Sequence, residues 1–221
     1  MKDLLNIICS KKVKYSLILI ILLGIYIFIS AISYVTAVSS ELEDSIFRLH
    51  VIANSDTKED QNLKYIVRDK LIEYMNSISL NAKNKEEAMK IANMHIDDFN
   101  EIARQTIIDN GYNYDVHVEI GNFSFPTKTY GDISIPAGSY DALRVKIGEA
   151  KGQNWWCVMF PPLCFVNVSS GIVPDESKKV LEDELSEEEY SIISDTNSAE
   201  IKFKFKIIEL FQNSNILTAK K

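Results

Sequence analysis

Apolar residues form one long run near the N-terminus and periodic patterns beyond it. The run extends from Tyr15 to Val38, is almost uncharged and follows lysines at positions 11, 12 and 14. A bilayer is spanned by about 20 apolar residues and a signal-peptide core has about 7–15, so the run is long enough for an uncleaved anchor. The small residues of Val35-Thr36-Ala37 also suit signal-peptide cleavage after Ala37. Residues 1–37 are therefore predicted to be a cytoplasmic flank plus a signal peptide or membrane anchor, and either one exports the remainder of the chain.

Two amphipathic helices are predicted in the exported part. They cover residues 57–78 and 84–111, and the second is expected to be one continuous, longer helix. In each, apolar side chains recur every three or four residues. Each begins with a polar cap residue followed three positions later by an acid, Thr57 with Asp60 and Asn84 with Glu87. Because each apolar stripe must be buried, both helices need a broad apolar surface to pack against.

A sheet is predicted to supply that surface. Its strands are expected at residues 45–53, 112–120, 123–130 and 140–147, where apolar residues alternate with polar ones or dominate. Gly121-Asn122 is predicted to separate the second strand from the third, and Pro126 confines the third to a sheet edge. The predicted fold class is α+β, with amphipathic helices packed on one face of an antiparallel sheet.

The densest aromatic stretch covers residues 153–166 and contains both tryptophans and two of the three cysteines. A turn at Pro161-Pro162 divides it. The aromatic side chains are Trp155, Trp156, Phe160 and Phe165. Large aromatic side chains bury the most apolar area per residue, so a core strand and turn is the first interpretation. The alternative is a binding surface, since the Pro-Pro turn is rigid and a buried indole N–H needs a partner.

Charge and length limit the partners and the domain organisation. The chain has 24 Lys and Arg against 31 Asp and Glu, a formal net charge of −7, and its sequence pI is about 5.1. This balance argues against nucleic acid, which requires a clustered basic face. Without the leader the chain is long enough for one core and short for two. We predict an exported α+β domain at residues 41–172 and an acidic linker and C-terminal segment, largely solvated, at residues 173–221.

The polar residues contain no recognisable catalytic or cofactor-binding motif. His50, His95 and His117 lie on separate predicted elements, with no Cys or His at metal-ligand spacing. Cys157 would act as a nucleophile only if the fold brought a histidine to it. The sequence has no glycine-rich phosphate loop and no serine-centred elbow. We predict no enzyme activity, cofactor, metal or small-molecule substrate, with an exported cell-wall or peptide hydrolase as the alternative.

Cys157 and Cys164 lie on either side of the Pro161-Pro162 turn. A turn that reverses the chain brings such positions to bridging distance, and disulfides persist in exported proteins. A disulfide is therefore predicted, with two buried free thiols as the alternative.

Three stretches resemble signature sequences of the stage II sporulation protein R family of endospore-forming bacteria. They are Arg48–Asp56, Gly121–Gly131 and Gly152–Phe165, and the resemblance extends over roughly residues 45–170. Members of that family are signals exported from the forespore into the space between the two septal membranes. There they activate a membrane-embedded aspartic protease of the mother cell, which cleaves the precursor of sporulation sigma factor E. The resemblance implies this role, partner and location for the chain, either membrane-anchored or secreted.

The family supplies no contact residues, so candidates are predicted from composition. Aromatic anchors ringed by polar groups are typical of protein-binding hot spots, and residues 121–130 and 155–165 have this composition. The candidates are Asn122, Phe123, Phe125, Lys128, Tyr130, Asn154, Trp155, Trp156 and Phe160. The alternative is that the aromatic side chains fill the core. Lys128 is expected at the surface in both cases, because its charge is costly to bury unpaired.

Overall fold

The computed structural model describes residues 11–164, 173 and 175–194. The described helices are α1 (Lys11–Ser45), α2 (Lys58–Ile78), α3 (Lys85–Met94), α4 (Ile96–Asp109), α5 (Asp175–Glu184) and α6 (Glu187–Ser194). The described strands are β1 (Phe47–Ile52), β2 (Val116–Phe125), β3 (Lys128–Tyr130), β4 (Ile133–Ile135), β5 (Gly138–Ile147) and β6 (Asn154–Phe160). The predicted Phe165 and residues 195–221 of the acidic segment lie outside the described residues.

The chain divides after Val38 into two compact units, and each is described by itself. The first consists of the leader and most of α1. Within α1, Val13–Ser30 has a mean hydropathy of 2.3 and is long and apolar enough to cross a membrane. A signal sequence near the N-terminus passes the same test. The apolar helix therefore fits a signal sequence or an anchor.

The second unit is built on a four-stranded sheet with the order β2-β5-β1-β6. The central pair, β1 and β5, is parallel, with Leu49 opposite Leu143, and the two outer pairings are antiparallel. Strands β3 and β4 form a separate antiparallel hairpin. The predicted α+β class, with helices on a mostly antiparallel sheet, is confirmed.

The strand prediction at Gly121-Asn122 is wrong, because β2 continues through these residues. All ten residues of β2 pair with β5, including Gly121 with Ala142 and Asn122 with Asp141. The buried face changes here instead. The partly buried Ile120 packs with the helices, whereas Phe123 packs on the opposite face. The pattern that indicated a break is therefore a switch of the apolar side chains from one face to the other.

Both predicted helix caps are present, but the second helix is not continuous. The Thr57 hydroxyl accepts a hydrogen bond from Asp60 N at 3.3 Å, and the Asn84 side chain accepts one from Glu87 N at 2.9 Å. The predicted long helix is divided at His95, which leaves helical geometry at φ −110°. The Tyr74 hydroxyl on α2 lies 2.9 Å from His95 Nδ1, a contact between helices that the local pattern does not contain.

The two faces of the sheet carry two apolar clusters. Helices α2, α3 and α4 cover one face; this cluster includes Leu49, Val51, Leu63, Val67, Leu71, Phe99, Ala103, Ile107, Leu143 and Val145. The β3-β4 hairpin and the C-terminal helices contribute to the other cluster, which includes Phe125, Ile133, Ile135, Tyr140, Val158, Leu181, Leu185 and Ile193. The acidic segment was expected to be largely solvated, with Leu181 and Leu185 among its few apolar contacts; both are buried, and Ile193 is buried as well. Each buried Leu or Ile contributes about 1.5–3 kcal/mol, enough to hold the helices in place. The domain division at 172 and 173 stays a prediction.

Candidate functional site

A pocket of about 330 Å³ lies where the two predicted binding segments meet. The β3 hairpin forms one wall, the start of β6 forms another, and α2 closes the pocket with two residues. The lining residues are Lys64, Tyr65, Lys128, Thr129, Tyr130, Gly131, Gln153, Asn154, Trp155, Trp156, Cys157, Leu163 and Cys164. Positions far apart in the sequence therefore share one cavity.

Arg48 and Tyr130 hold the walls of this pocket together. Arg48 on β1 donates from Nη2 to the Tyr130 hydroxyl at 2.9 Å, and that hydroxyl donates to the Trp156 carbonyl at 2.9 Å. The chain of two hydrogen bonds links the hairpin to β1 and β6. Because buried hydrogen bonds to a charged group are among the stronger ones in proteins, this link orders the hairpin relative to the sheet.

The charge of Arg48 is fully buried and is stabilised by aromatic rings. Its guanidinium carbon lies 4.1 Å from the centroid of the Phe125 ring and 4.9 Å from that of the Tyr140 ring. Within the described part of the chain, Nε and Nη1 have no hydrogen-bond partner. Burial raises the pKa of Tyr130, and the nearby Arg48 charge opposes that rise. The hydroxyl thus keeps its proton and can donate to Trp156.

His50 supports the floor of the site from the same strand. Its ring stacks on Trp156 with 3.7 Å between centroids and 16° between planes, and Nε2 lies 2.9 Å from Asn154 Oδ1. Burial lowers the pKa of His50 to about 4, against a smaller opposing contribution from the Asn154 hydrogen bond. The ring is therefore neutral at neutral pH and serves as a flat support for Trp156.

Lys64 and Lys128 give the pocket positive charge. Lys64 is only 1% exposed, and Nζ donates to Gln61 Oε1 at 2.5 Å and to the Gln153 carbonyl at 3.0 Å. Burial lowers its pKa, and so does Arg68 nearby, whereas Asp56 raises it. Lys128 is half-buried on the opposite wall. Among the described residues, no Asp or Glu lines the pocket.

Trp155 lies between further aromatic and cationic groups. Its ring meets Tyr65 edge to face at 5.4 Å, and the Arg68 guanidinium lies 4.2 Å from its centroid. The indole Nε1 is shielded from solvent and has no hydrogen-bond partner among the described residues. The Trp155 ring lines the pocket, whereas its N–H is buried beside it.

The structure places five of the nine candidate contact residues in the pocket: Lys128, Tyr130, Asn154, Trp155 and Trp156. Lys128 is partly exposed, as expected. The other four lie elsewhere. Asn122 bonds to Asp141, Phe123 lies beneath the Arg144 guanidinium at 3.7 Å, and Phe125 and Phe160 are buried in the two clusters. Arg48, His50 and Lys64 were not predicted as residues of the site, although an arginine within a mostly apolar strand was a usable signal.

Cys157 and Cys164 form a disulfide, as predicted, with their Cα atoms 5.4 Å apart. Both line the pocket, so the bridge secures the turn that follows β6. The thiol that a cysteine hydrolase would need at Cys157 is bonded. Within the described ranges, no group of three or more His, Cys, Asp or Glu side chains is arranged to hold a metal ion.

Comparison with known proteins identifies the family. The family model described as "Stage II sporulation protein R (spore_II_R)" matches residues 43–170, more than half of the chain and all three signature stretches. A relative named stage II sporulation protein R, from Bacillus subtilis (strain 168), is 36% identical over 152 residues, which cover 64% of this chain and 68% of the relative. No solved structure matches. The chain belongs to the stage II sporulation protein R family.

Proposed function

We propose that this protein is an exported sporulation signal that activates a membrane-embedded aspartic protease of the mother cell, leading to cleavage of the sigma-E precursor. The observation that carries the proposal is the family match over residues 43–170. In this proposal the protein acts as a ligand and has no catalytic activity of its own.

The composition of the pocket supports a binding role. Its walls present indole, phenol, amide and ammonium groups, which recognise a partner through stacking, hydrogen bonds and charge. Tyr130 and Trp156 are held in place by Arg48 and His50 before any partner binds. Preorganised side chains lose little conformational entropy on binding, which favours affinity.

The apolar helix supports export from the forespore. We propose that the second unit lies in the space between the two septal membranes, either released after cleavage of the leader or tethered by α1. In both forms the pocket faces the compartment in which the exported loops of the protease are exposed. A membrane contact through α1 is part of the tethered form.

The test is reconstitution in a host that does not sporulate. The protease and the sigma-E precursor are produced with and without this protein, and processing is followed by immunoblot. We expect the shorter, processed form only when all three proteins are present. Equal processing without this protein would contradict the proposal.

Single substitutions of Cys157, His117 and His50 distinguish the ligand from an exported hydrolase. A hydrolase would lose turnover on a cell-wall or peptide substrate while remaining folded. A ligand would retain activation after substitution of His117. Cys157 and His50 also shape the pocket, so their variants are compared by turnover on the cell-wall or peptide substrate. His117 is the useful control because its side chain is 68% exposed and lies on β2, at the opposite edge of the four-stranded sheet from β6.

A further inference from the structure

We propose that the pocket between β3, β6 and α2 binds an acidic peptide segment of the protein partner, with its carboxylate at Lys64 and Lys128 and its neighbouring side chain against Trp155. The inference rests on the proposed function and deepens it by stating the chemistry of the contact. In this proposal the pocket is the place where this protein contacts the exported surface of its partner.

The charge of the pocket is opposite to that of the whole chain. The formal net charge is −7, yet the charged side chains lining the cavity are both lysines in the part of the chain that the structure describes. Arg68 lies behind the Trp155 ring, and its charge is paired with that of Asp69, which is 61% exposed. A cationic cavity on an acidic protein selects an anionic group at this one position.

Among the lining residues, Lys64 gives the strongest indication that the pocket binds an anion. Its side chain is buried, and in the described structure no carboxylate lies within ion-pair distance of Nζ. The acid that most influences it, Asp56, is engaged by the backbone N–H of Gln153 at 2.6 Å. A buried ammonium is costly without a counter-charge, and a carboxylate entering the pocket would supply one.

The aromatic walls favour a peptide over a small anion. The cavity of about 330 Å³ is larger than a carboxylate needs, and Tyr65, Tyr130 and Trp155 line the remaining space. An apolar residue adjacent to an Asp or Glu would fill that space and pack against the Trp155 ring. A free phosphate or lipid headgroup would use the lysines and leave the aromatic walls uncovered.

The first experiment is charge exchange in the reconstituted system with full-length proteins. Lys128→Glu is compared with Lys90→Glu, which makes the same charge change at an α3 position outside the pocket. We expect processing to fall about tenfold or more for Lys128→Glu and to stay within about twofold for Lys90→Glu.

Lysine is then introduced singly at each acidic position on the exported side of the protease. One such variant should restore processing with Lys128→Glu.

Two outcomes of this experiment overturn the proposal. The first is normal processing by a folded Lys128→Glu variant. The second is loss of processing that no charge-reversed protease variant rescues, because the anion recognised by Lys128 then lies on something other than the protease.

A binding measurement without the protease separates this proposal from the proposed function. Tryptophan emission of the full chain in detergent is followed during titration with hexaglutamate, hexaglutamine and glycerol phosphate. We expect a saturable, salt-sensitive change with hexaglutamate that is absent with hexaglutamine and in Lys128→Glu. Absence of this change, or an equal response to glycerol phosphate, overturns the acidic-peptide assignment. Hexaglutamate binding together with failed reconstitution by the wild-type chain would contradict the proposed function alone.

Discussion

Arg48 donates a hydrogen bond from Nη2 to the Tyr130 hydroxyl at 2.9 Å, across 82 positions of sequence. This contact joins the central strand β1 to the hairpin that forms one wall of the pocket. Tyr130 in turn bonds to the carbonyl of Trp156 on the opposite wall. The shape of the pocket therefore depends in part on one phenol held by one buried cation.

Tyr130→Phe is expected to lower the free energy of unfolding by about 1–3 kcal/mol, because Arg48 Nη2 and the Trp156 carbonyl both lose a buried partner. Denaturant unfolding of residues 38–221 measures the loss. Tyr65→Phe is the matched control, since in the described structure its hydroxyl forms no hydrogen bond and it is 37% exposed. An equal effect of the two changes would show that Arg48 does not depend on Tyr130.

His50 is expected to make the fold less stable as the pH falls from about 6.5 to about 4. Its folded pKa of about 4 lies below the unfolded value, so only the unfolded state takes up a proton in this window. The expected loss between pH 7 and pH 5 is about 2 kcal/mol. Urea unfolding at the two pH values measures it. The His50→Gln variant should lack this part of the pH dependence, and an unchanged slope would contradict the assignment.

Gly152→Ala is expected to destabilise the turn that leads into the pocket by about 1–3 kcal/mol, since the added methyl group would overlap the Ser55 backbone carbonyl. The Gly152 N–H also bonds to the Ala53 carbonyl at 2.9 Å, so the backbone has little freedom to move. Gly111→Ala is the comparison, because it adds a methyl group in open space at φ +83°. That variant should lose only about 1–2 kcal/mol, from its left-handed backbone. A Tm for Gly152→Ala equal to that of the wild type would exclude the overlap.

The disulfide between Cys157 and Cys164 is expected in the exported form of the protein. Mass spectrometry after alkylation without reduction should find both cysteines unmodified and their peptides joined. Reduction before alkylation is the control and should modify both. Complete alkylation without reduction would show that the exported protein carries free thiols.

Residues 1–37 are expected to be dispensable once the protein has crossed the membrane, because the described buried core begins at Leu42. Residues 38–221 behind an unrelated secretion signal should support sigma-E precursor processing in the reconstituted host. The control is the same segment without any secretion signal, which should be inactive. Failure of the secreted segment, with normal folding, would indicate a contact within the membrane.

Local patterns predicted the elements whose determinants lie within a few residues. Thr57 and Asn84 cap their helices through backbone groups three positions away, so both helix starts could be predicted from local sequence. The apolar N-terminal helix could be predicted because its length and hydropathy are local properties of the sequence. The disulfide could be predicted because its two cysteines flank one turn.

The division of the helix at His95 and the continuity of β2 could not be predicted from local sequence, because each depends on a contact far along the chain. His95 contacts Tyr74 on another helix, and Gly121 pairs with strand β5.

The sequence by itself determined the fold class, the apolar N-terminal helix and the family, and it predicted the two segments that were expected to bind a partner. Only the tertiary structure decided that those segments share a pocket, because pairing of β1 with β6 and docking of the hairpin are long-range events. Tertiary packing also separated the aromatic candidates: Phe125 and Phe160 are buried in the core, whereas Trp155 lines the pocket. The physical reason is that burial depends on which face of the sheet each side chain meets, and strand pairing sets that face.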